Sequence, residues 1–184
     1  MAVINSRPSY WIQYGFAEGK AHSRRLESEL QNHGLVRAAN ATSADVILAH
    51  SGGCQLIDQP NALFVNPNTW PERNYFEKQW QKIVGEFHNQ TPSNRVVASL
   101  FWNLVYTFSQ FRYNVSLLRP YQLANRASFK SDLRCIIIRN DNDVWCTPDI
   151  ERYYPNARVI TLSGSHDDCW INPAKYVSSM LEQL

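Results

Sequence analysis

The chain has no charge bias, no CxxC pair, no long apolar run and no internal repeat, and each absence removes a class of function. Lysine and arginine number 18 against 16 aspartates and glutamates. That balance leaves no electrostatic footprint for nucleic acid or an anionic membrane surface. No apolar stretch reaches the roughly 18 residues of a membrane span, and the N-terminus has no signal-peptide core. The four cysteines, Cys54, Cys135, Cys146 and Cys169, are widely spaced. They read as reduced, mostly buried thiols of a cytoplasmic protein. With neither repeats nor low-complexity tracts, the 184 residues read as one domain. A chain of that size buries roughly 70% of its unfolded surface.

What is present is an apolar run that stops abruptly. Ala44-Asp45-Val46-Ile47-Leu48-Ala49 leads into His50-Ser51-Gly52-Gly53. A buried strand feeding directly into a helix here places Ser51 at the tip of a tight turn, with its hydroxyl pushed out of the sheet. Gly52 and Gly53 permit the sharp turn and a close helix–strand approach. The pattern is small-x-Ser-x-Gly, a nucleophile elbow. The plain alternative is a Ser-Gly-Gly loop after a strand, and five residues alone do not separate the two.

Along the chain, Ser9–Tyr14 reads as a strand closed by Gly15, and Ala21–Asn32 as a helix in which Leu26 and Leu30 keep i, i+4 spacing. Leu35–Ala38 is a short strand. The helix after Ser51 is cut to a few residues by Asp58-Gln59-Pro60-Asn61, and Ala62–Asn66 is a further buried strand. From residue 68 to 131 helical patterns replace strands, at Tyr75–His88, Ser93–Gln110 and Pro120–Lys130. This segment holds many of the 6 Trp, 9 Tyr and 8 Phe. The middle helix is apolar around much of its circumference, so it is expected to be buried under its neighbours. It is also suited to line an apolar pocket as part of a cap. Leu133–Ile138 and Arg158–Leu162 are strands, Pro148–Tyr153 a short helix, and Pro173–Leu184 the closing helix. Strands and helices alternating through short loops imply an α/β/α architecture with a mostly parallel sheet of about six strands.

Three polar loops, each directly after an expected buried strand, supply Ser51, Asp143 and His166 in that order. In a parallel sheet all strand C-termini lie on one edge, where residues distant in sequence meet. A serine hydroxyl becomes a competent nucleophile when an imidazole takes its proton and a carboxylate orients that imidazole. Asp141 lies on the same loop as Asp143, and the residues alone do not choose between them. Asp167 and Asp168 read as solvated loop carboxylates near the final helix. His166, Asp167, Asp168, Cys169 and Cys146 are potential metal ligands, but their spacing lacks a paired zinc signature. No metal and no cofactor are expected. His22, His33 and His88 fall on helices as surface or satisfied histidines, and His50 reads as a packing and hydrogen-bonding residue.

With these residues the sequence resembles the α/β-hydrolase family. Ala49-His50-Ser51-Gly52-Gly53 matches the elbow, with Ala49 in place of its first glycine. Asn140-Asp141-Asn142-Asp143 resembles the family's Gly-x-x-Asp turn, and Ser163-Gly164-Ser165-His166 its histidine loop. The order Ser, Asp, His is also the family's. The small size is similar to compact serine hydrolases whose sheet lacks its first strands. The resemblance implies Ser51 as nucleophile, His166 as base and Asp143, rather than Asp141, as the orienting acid. By position it implies the N–H groups of Gly52 and Phe16 as oxyanion donors. The family's His-Gly at that loop stands here as Tyr14-Gly15. The implied activity is acyl transfer from a small ester, thioester or amide to water. Trp102, Tyr106 and Trp145 are candidates for the wall of an apolar acyl pocket. A different class of reading is a protein-interaction module on the same scaffold, its aromatic cluster serving as partner surface. Reactivity of Ser51 separates the two.

Overall fold

The computed structural model describes residues 7–15, 18–67, 93–110, 112, 134–143, 145–146 and 149–182. Six strands, β1 (Ser9–Gln13), β2 (Val36–Arg37), β3 (Val46–His50), β4 (Ala62–Val65), β5 (Ile136–Asn140) and β6 (Arg158–Leu162), form one sheet in the order β2-β1-β3-β4-β5-β6. Every neighbouring pair is parallel. Around it lie α1 (Lys20–Asn32), α2 (Ser93–Ser109), α3 (Ile150–Tyr153), α4 (Asp168–Ile171) and α5 (Ala174–Leu181).

β3 and β4 are buried at every residue, as expected of central strands covered on both faces. The period-two alternation of a strand divides their side chains between two cores. Val46, Leu48, Leu63 and Val65 join Leu26 and Leu30 of α1 and Tyr176, Val177 and Met180 of α5 on one face. Ile47, Ala49, Ala62 and Phe64 join Cys54, Ile57, Ile150 and Tyr154 on the other. α1 is held by the expected Leu26–Leu30 stripe. It ends where Gly34 adopts φ +85° and the Leu35 N–H reaches back to the Leu30 carbonyl at 3.1 Å, closing a Schellman-type stop.

The chain leaves β1 toward β2 and returns to β3 on β1's other side, so the connections diverge between β1 and β3. Such a switch point opens a crevice at the strand C-termini. The Gly15 loop and Ser51 both lie there, because Gln13 is in register with Ala49.

Several expectations needed correction. The strand expected at Leu133–Ile138 begins later, at Ile136, and runs through Arg139 and Asn140. Those two polar residues stay in the ladder because Thr161 and Leu162 of β6 pair with them. The helix after Ser51 is as short as expected, but it is a 3₁₀ segment, Ser51–Leu56, rather than an α-helix. The middle helix α2 is not buried all round: Val97, Phe101, Leu104 and Phe108 are each more than half exposed. It meets α1 through Tyr106, whose hydroxyl accepts the Ala21 N–H at 3.0 Å. That supplies one of the partners a helix N-terminus lacks. The helices expected at Tyr75–His88 and Pro120–Lys130, and with them His88, lie outside the described residues. Among the described residues no helix is long and apolar enough to cross a membrane. All four cysteines are buried, and none forms a disulfide.

Candidate active site

Ser51 follows the last residue of β3 and carries φ +52°. A non-glycine residue in this left-handed region costs of order 1–3 kcal/mol and persists only where its surroundings impose it. Two glycines allow those surroundings to close in. A Cβ on Gly53 would sit 2.3 Å from the Tyr14 carbonyl oxygen, and one on Gly15 would sit 2.8 Å from the Ser51 Cβ. The end of β1 and the turn after β3 are thus packed backbone to backbone.

Ser51 Oγ lies 3.0 Å from His166 Nε2. His166 Nδ1 lies 2.9 Å from both carboxylate oxygens of Asp143. The carboxylate only accepts, so Nδ1 carries the proton and Nε2 turns its lone pair to the serine hydroxyl. Asp143 is itself held, since its Oδ1 accepts the Trp145 N–H at 2.7 Å. The side chains of His166 and Asp143 are almost wholly buried. Asp141, the other carboxylate of that loop, is exposed and accepts the Gly164 N–H at 3.0 Å. It fastens the neighbouring loop rather than its own, and it does not meet His166.

Gly52 lies buried in the first turn of the 3₁₀ segment, where backbone N–H groups have no partner within the turn. Phe16 lies outside the described residues. Trp145 is buried with its ring 6.2 Å from that of His166. Tyr106 packs near Gly19 and His22, and the Trp102 ring lies 6.0 Å from it in a tilted arrangement. Of the three aromatic candidates, Trp145 is the one in contact range of the histidine.

Asp167 and Asp168 are not solvated, as the sequence suggested: both are at most 5% exposed. Asp168 pairs with Lys175, lies 2.9 Å from the Tyr176 hydroxyl and accepts from Asn172 at 2.6 Å. His22 is buried, while His33 is exposed beside Glu29.

His50 packs and hydrogen-bonds as the sequence suggested, but Glu18, Asn66 and Asn140, which complete the layer beneath the site with it, were not anticipated. His50 is fully buried, with Nδ1 2.6 Å from Glu18 Oε1 and Nε2 2.8 Å from the His166 carbonyl oxygen. Glu18 Oε2 accepts the Gly15 N–H at 2.6 Å. Asn66, at φ +47°, donates to the His166 carbonyl at 2.8 Å and accepts the Asn140 N–H at 2.8 Å. Asn140 donates to the Ser165 carbonyl at 2.5 Å. A polar residue closing an apolar strand, as Asn66 and Asn140 do, was the available signal for this layer.

Glu18, His50, His166 and Asp167 bring possible metal-ligand atoms within 4.8 Å of one another. Both nitrogens of His50 and both of His166 already face protein partners, so an ion would have to break those bonds.

Burial alone would lower the His50 pKa, but Cys169 and Glu18 outweigh it and hold the pKa well above the usual imidazole value. Burial pushes the Cys169 thiol up to about 11, so the negative charge facing His50 near neutrality is that of Glu18. Burial would raise Glu18, and Asp167 adds to that, yet His50, with a smaller part from His22, brings its pKa below the usual carboxylate value. The two form a buried ion pair. Removing one partner of such a pair costs about 3–5 kcal/mol. The signs fix a pH window. The Glu18 contribution is present above the unfolded carboxylate pKa and is lost as pH falls through its lowered folded value. The His50 contribution is complete below the unfolded imidazole pKa and is lost as pH rises through its raised folded value. Denaturant unfolding is therefore expected to show a larger stability gap between wild type and Glu18→Gln at pH 5.5 than at pH 9. An equal gap at both would contradict the ion pair.

Neither a family model nor a curated protein matches the chain. Solved structures do match its shape. An enol-lactonase from Burkholderia xenovorans aligns at a TM-score of 0.61 and 9% identity, over 99% of this chain and 93% of that one. A hydrolase from Pseudomonas aeruginosa aligns at 0.60 and 10% identity, over 96% and 89%. A thioesterase domain from the curacin biosynthetic pathway aligns at 0.55 and 12%, over 95% and 91%. Identities this low speak to architecture, and on that count the result is plain: a six-stranded, all-parallel sheet with helices, spanned end to end by these structures, gives the chain the α/β-hydrolase fold.

Proposed function

We propose that the protein is a serine hydrolase that cleaves an ester, thioester or amide through an acyl-enzyme. The observation that carries the reading is the hydrogen-bonded line from Ser51 through His166 to Asp143, begun by a serine in a left-handed backbone conformation. A structural serine has no need of that strain.

Ser51 Oγ attacks the acyl carbon as its proton passes to His166 Nε2, and the carbonyl oxygen gains the negative charge. Gly52 N–H, with Phe16 N–H as the second donor, stabilises that charge; one such donor contributes about 100- to 1000-fold in rate. Collapse breaks the bond to the leaving group, which takes the proton from His166. Water then attacks the acyl carbon, giving its proton to the same nitrogen, and Ser51 is regenerated with release of the acid. Asp143 keeps the imidazole in the required tautomer throughout. No cofactor enters this sequence. We take residues 1–184 as one domain, in which segment 68–131 and Trp145 wall an apolar acyl pocket and Trp102 and Tyr106 lie on the described part of that wall.

Esters of p-nitrophenol with rising acyl length test this directly. Turnover is expected to pass through a maximum at the chain length the pocket accommodates. Absence of turnover across the series, with folded protein, would overturn the reading. A partner-binding module on the same fold is the competing reading, favoured by the exposed Val97, Phe101, Leu104 and Phe108 of α2. It predicts no turnover at all.

A further inference from the structure

Two loops must hold fixed positions relative to Ser51: the one after β1 that begins at Gly15, and the one after β6 that carries His166. In sequence they are some of the most distant parts of the chain. In the structure one pair of side chains ties both to the end of β3. Glu18 Oε2 accepts the Gly15 N–H at 2.6 Å, and its other oxygen lies 2.6 Å from His50 Nδ1. His50 Nε2, in turn, lies 2.8 Å from the His166 carbonyl oxygen. His50 is the residue immediately before Ser51, so the tie is anchored beside the nucleophile itself.

Hydrogen-bond chemistry restricts how this pair works. A carbonyl oxygen only accepts, so His50 Nε2 carries a hydrogen. Likewise the Gly15 N–H only donates, so Glu18 Oε2 must accept. The remaining 2.6 Å contact joins a carboxylate oxygen to His50 Nδ1 and holds a single shared proton. Neither side chain has an alternative solvent partner, since their exposures are 0% for His50 and 4% for Glu18. The rings of His50 and His166 stand 4.8 Å apart, and Trp170 packs on His50 edge-on at 5.0 Å. Neither Glu18 nor His50 side chain bonds to Ser51 Oγ or to the His166 ring nitrogens, which are occupied by each other and by Asp143.

We propose that Glu18, acting through His50, is a positioning residue that locks the Gly15 loop and the His166 loop to the nucleophile turn as one unit. The proposal rests on the hydrolase reading. Gly15's own N–H is consumed by Glu18, so Gly15 is held in place by that bond rather than offered as an oxyanion donor itself. The same carboxylate, one imidazole further on, sets the height of the His166 backbone. One side chain is therefore linked to both Gly15 and the His166 backbone, whose carbonyl Asn66 also holds at 2.8 Å. Misplacement of reacting groups by about 1 Å is enough to cost on the order of 100-fold in rate.

The test compares wild type, Ser51→Ala, Glu18→Ala, Glu18→Asp and Glu18→Gln. Read-outs are the second-order rate of fluorophosphonate labelling, kcat and KM on p-nitrophenyl acetate, and Tm, with rates normalised to the folded fraction. Glu18→Ala removes the bond to Gly15 and the support of His50, and is expected to lose about 100-fold, carried by kcat with KM changed less than threefold. Glu18→Asp keeps the charge and is the variant more apt to fold. Shortened by one carbon–carbon bond, about 1.5 Å, it cannot reach both partners and is expected to lose about tenfold. Glu18→Gln can accept from Gly15 and donate to a neutral His50, and is expected to recover about tenfold over Glu18→Ala. Wild-type rates in folded Glu18→Ala or Glu18→Asp would overturn the proposal. So would losses that vanish once the folded fraction is counted. Failure of wild type to label, or labelling that survives in Ser51→Ala, would overturn the hydrolase reading and this proposal with it.

Discussion

His166→Ala is expected to lower kcat on a p-nitrophenyl ester by about 10⁵- to 10⁶-fold, the scale seen when the base of a serine hydrolase is removed. The geometry explains the size. Ser51 Oγ has His166 Nε2 at 3.0 Å as its proton acceptor. Without it the hydroxyl must lose its proton to water while attacking. Ser51→Ala is expected to cost a similar amount, and the double variant scarcely more than either, because the two residues act as one unit. Additive losses in the double variant would show that they act separately. Stability is expected to move little in Ser51→Ala, which removes a strained residue's hydroxyl and leaves the backbone packing of Gly15 and Gly53 in place. Denaturant unfolding beside the kinetics checks this.

Asp143→Asn is expected to cost about 10⁴-fold in kcat with the fold retained. Asp143 faces His166 Nδ1 with both oxygens at 2.9 Å. An amide can offer Nδ1 an N–H instead. The imidazole then keeps its hydrogen on Nε2, where it points at Ser51 and can take nothing from it. Asp141→Asn is expected to cost less than about tenfold, since that carboxylate accepts from Gly164 and does not meet His166. Equal losses in the two variants would contradict the assignment of the acid. Kinetics at several pH values would complete the comparison, because a tautomer error persists across the profile whereas a simple pKa shift is recovered at one end.

The sheet was legible because its strands are short runs of Val, Ile and Leu closed by polar residues, a pattern that parallel strands buried on both faces produce. Ser51, Asp143 and His166 could be picked out together because each follows such a run. Sequence carried less about α2: its apolar circumference suggested a helix buried on all sides, whereas one stripe faces outward. Composition counts apolar residues, but burial depends on which neighbours arrive. The end of β5 was misjudged for a related reason. Arg139 and Asn140 look like loop residues, yet a paired neighbour in β6 keeps them in the ladder. Hardest to see was how Glu18, Asn66 and Asn140 join His50, itself expected to pack and hydrogen-bond, in one layer. These residues lie up to 122 positions apart in numbering, from 18 to 140. A buried polar side chain is identified by its partner, and no local pattern names a partner that far away. The solvated reading of Asp167 and Asp168 failed in the same manner, since carboxylates are usually exposed and are buried only where other groups, here Lys175 and Asn172 around Asp168, receive them.

The central claim is that Ser51 is an activated nucleophile. Intact-protein mass after exposure to a fluorophosphonate, with Ser51→Ala treated in parallel, tests it most directly. One adduct per chain on the wild type and none on the variant is the result expected. A folded wild type that remains unlabelled, or a variant that labels as well as the wild type, would contradict it.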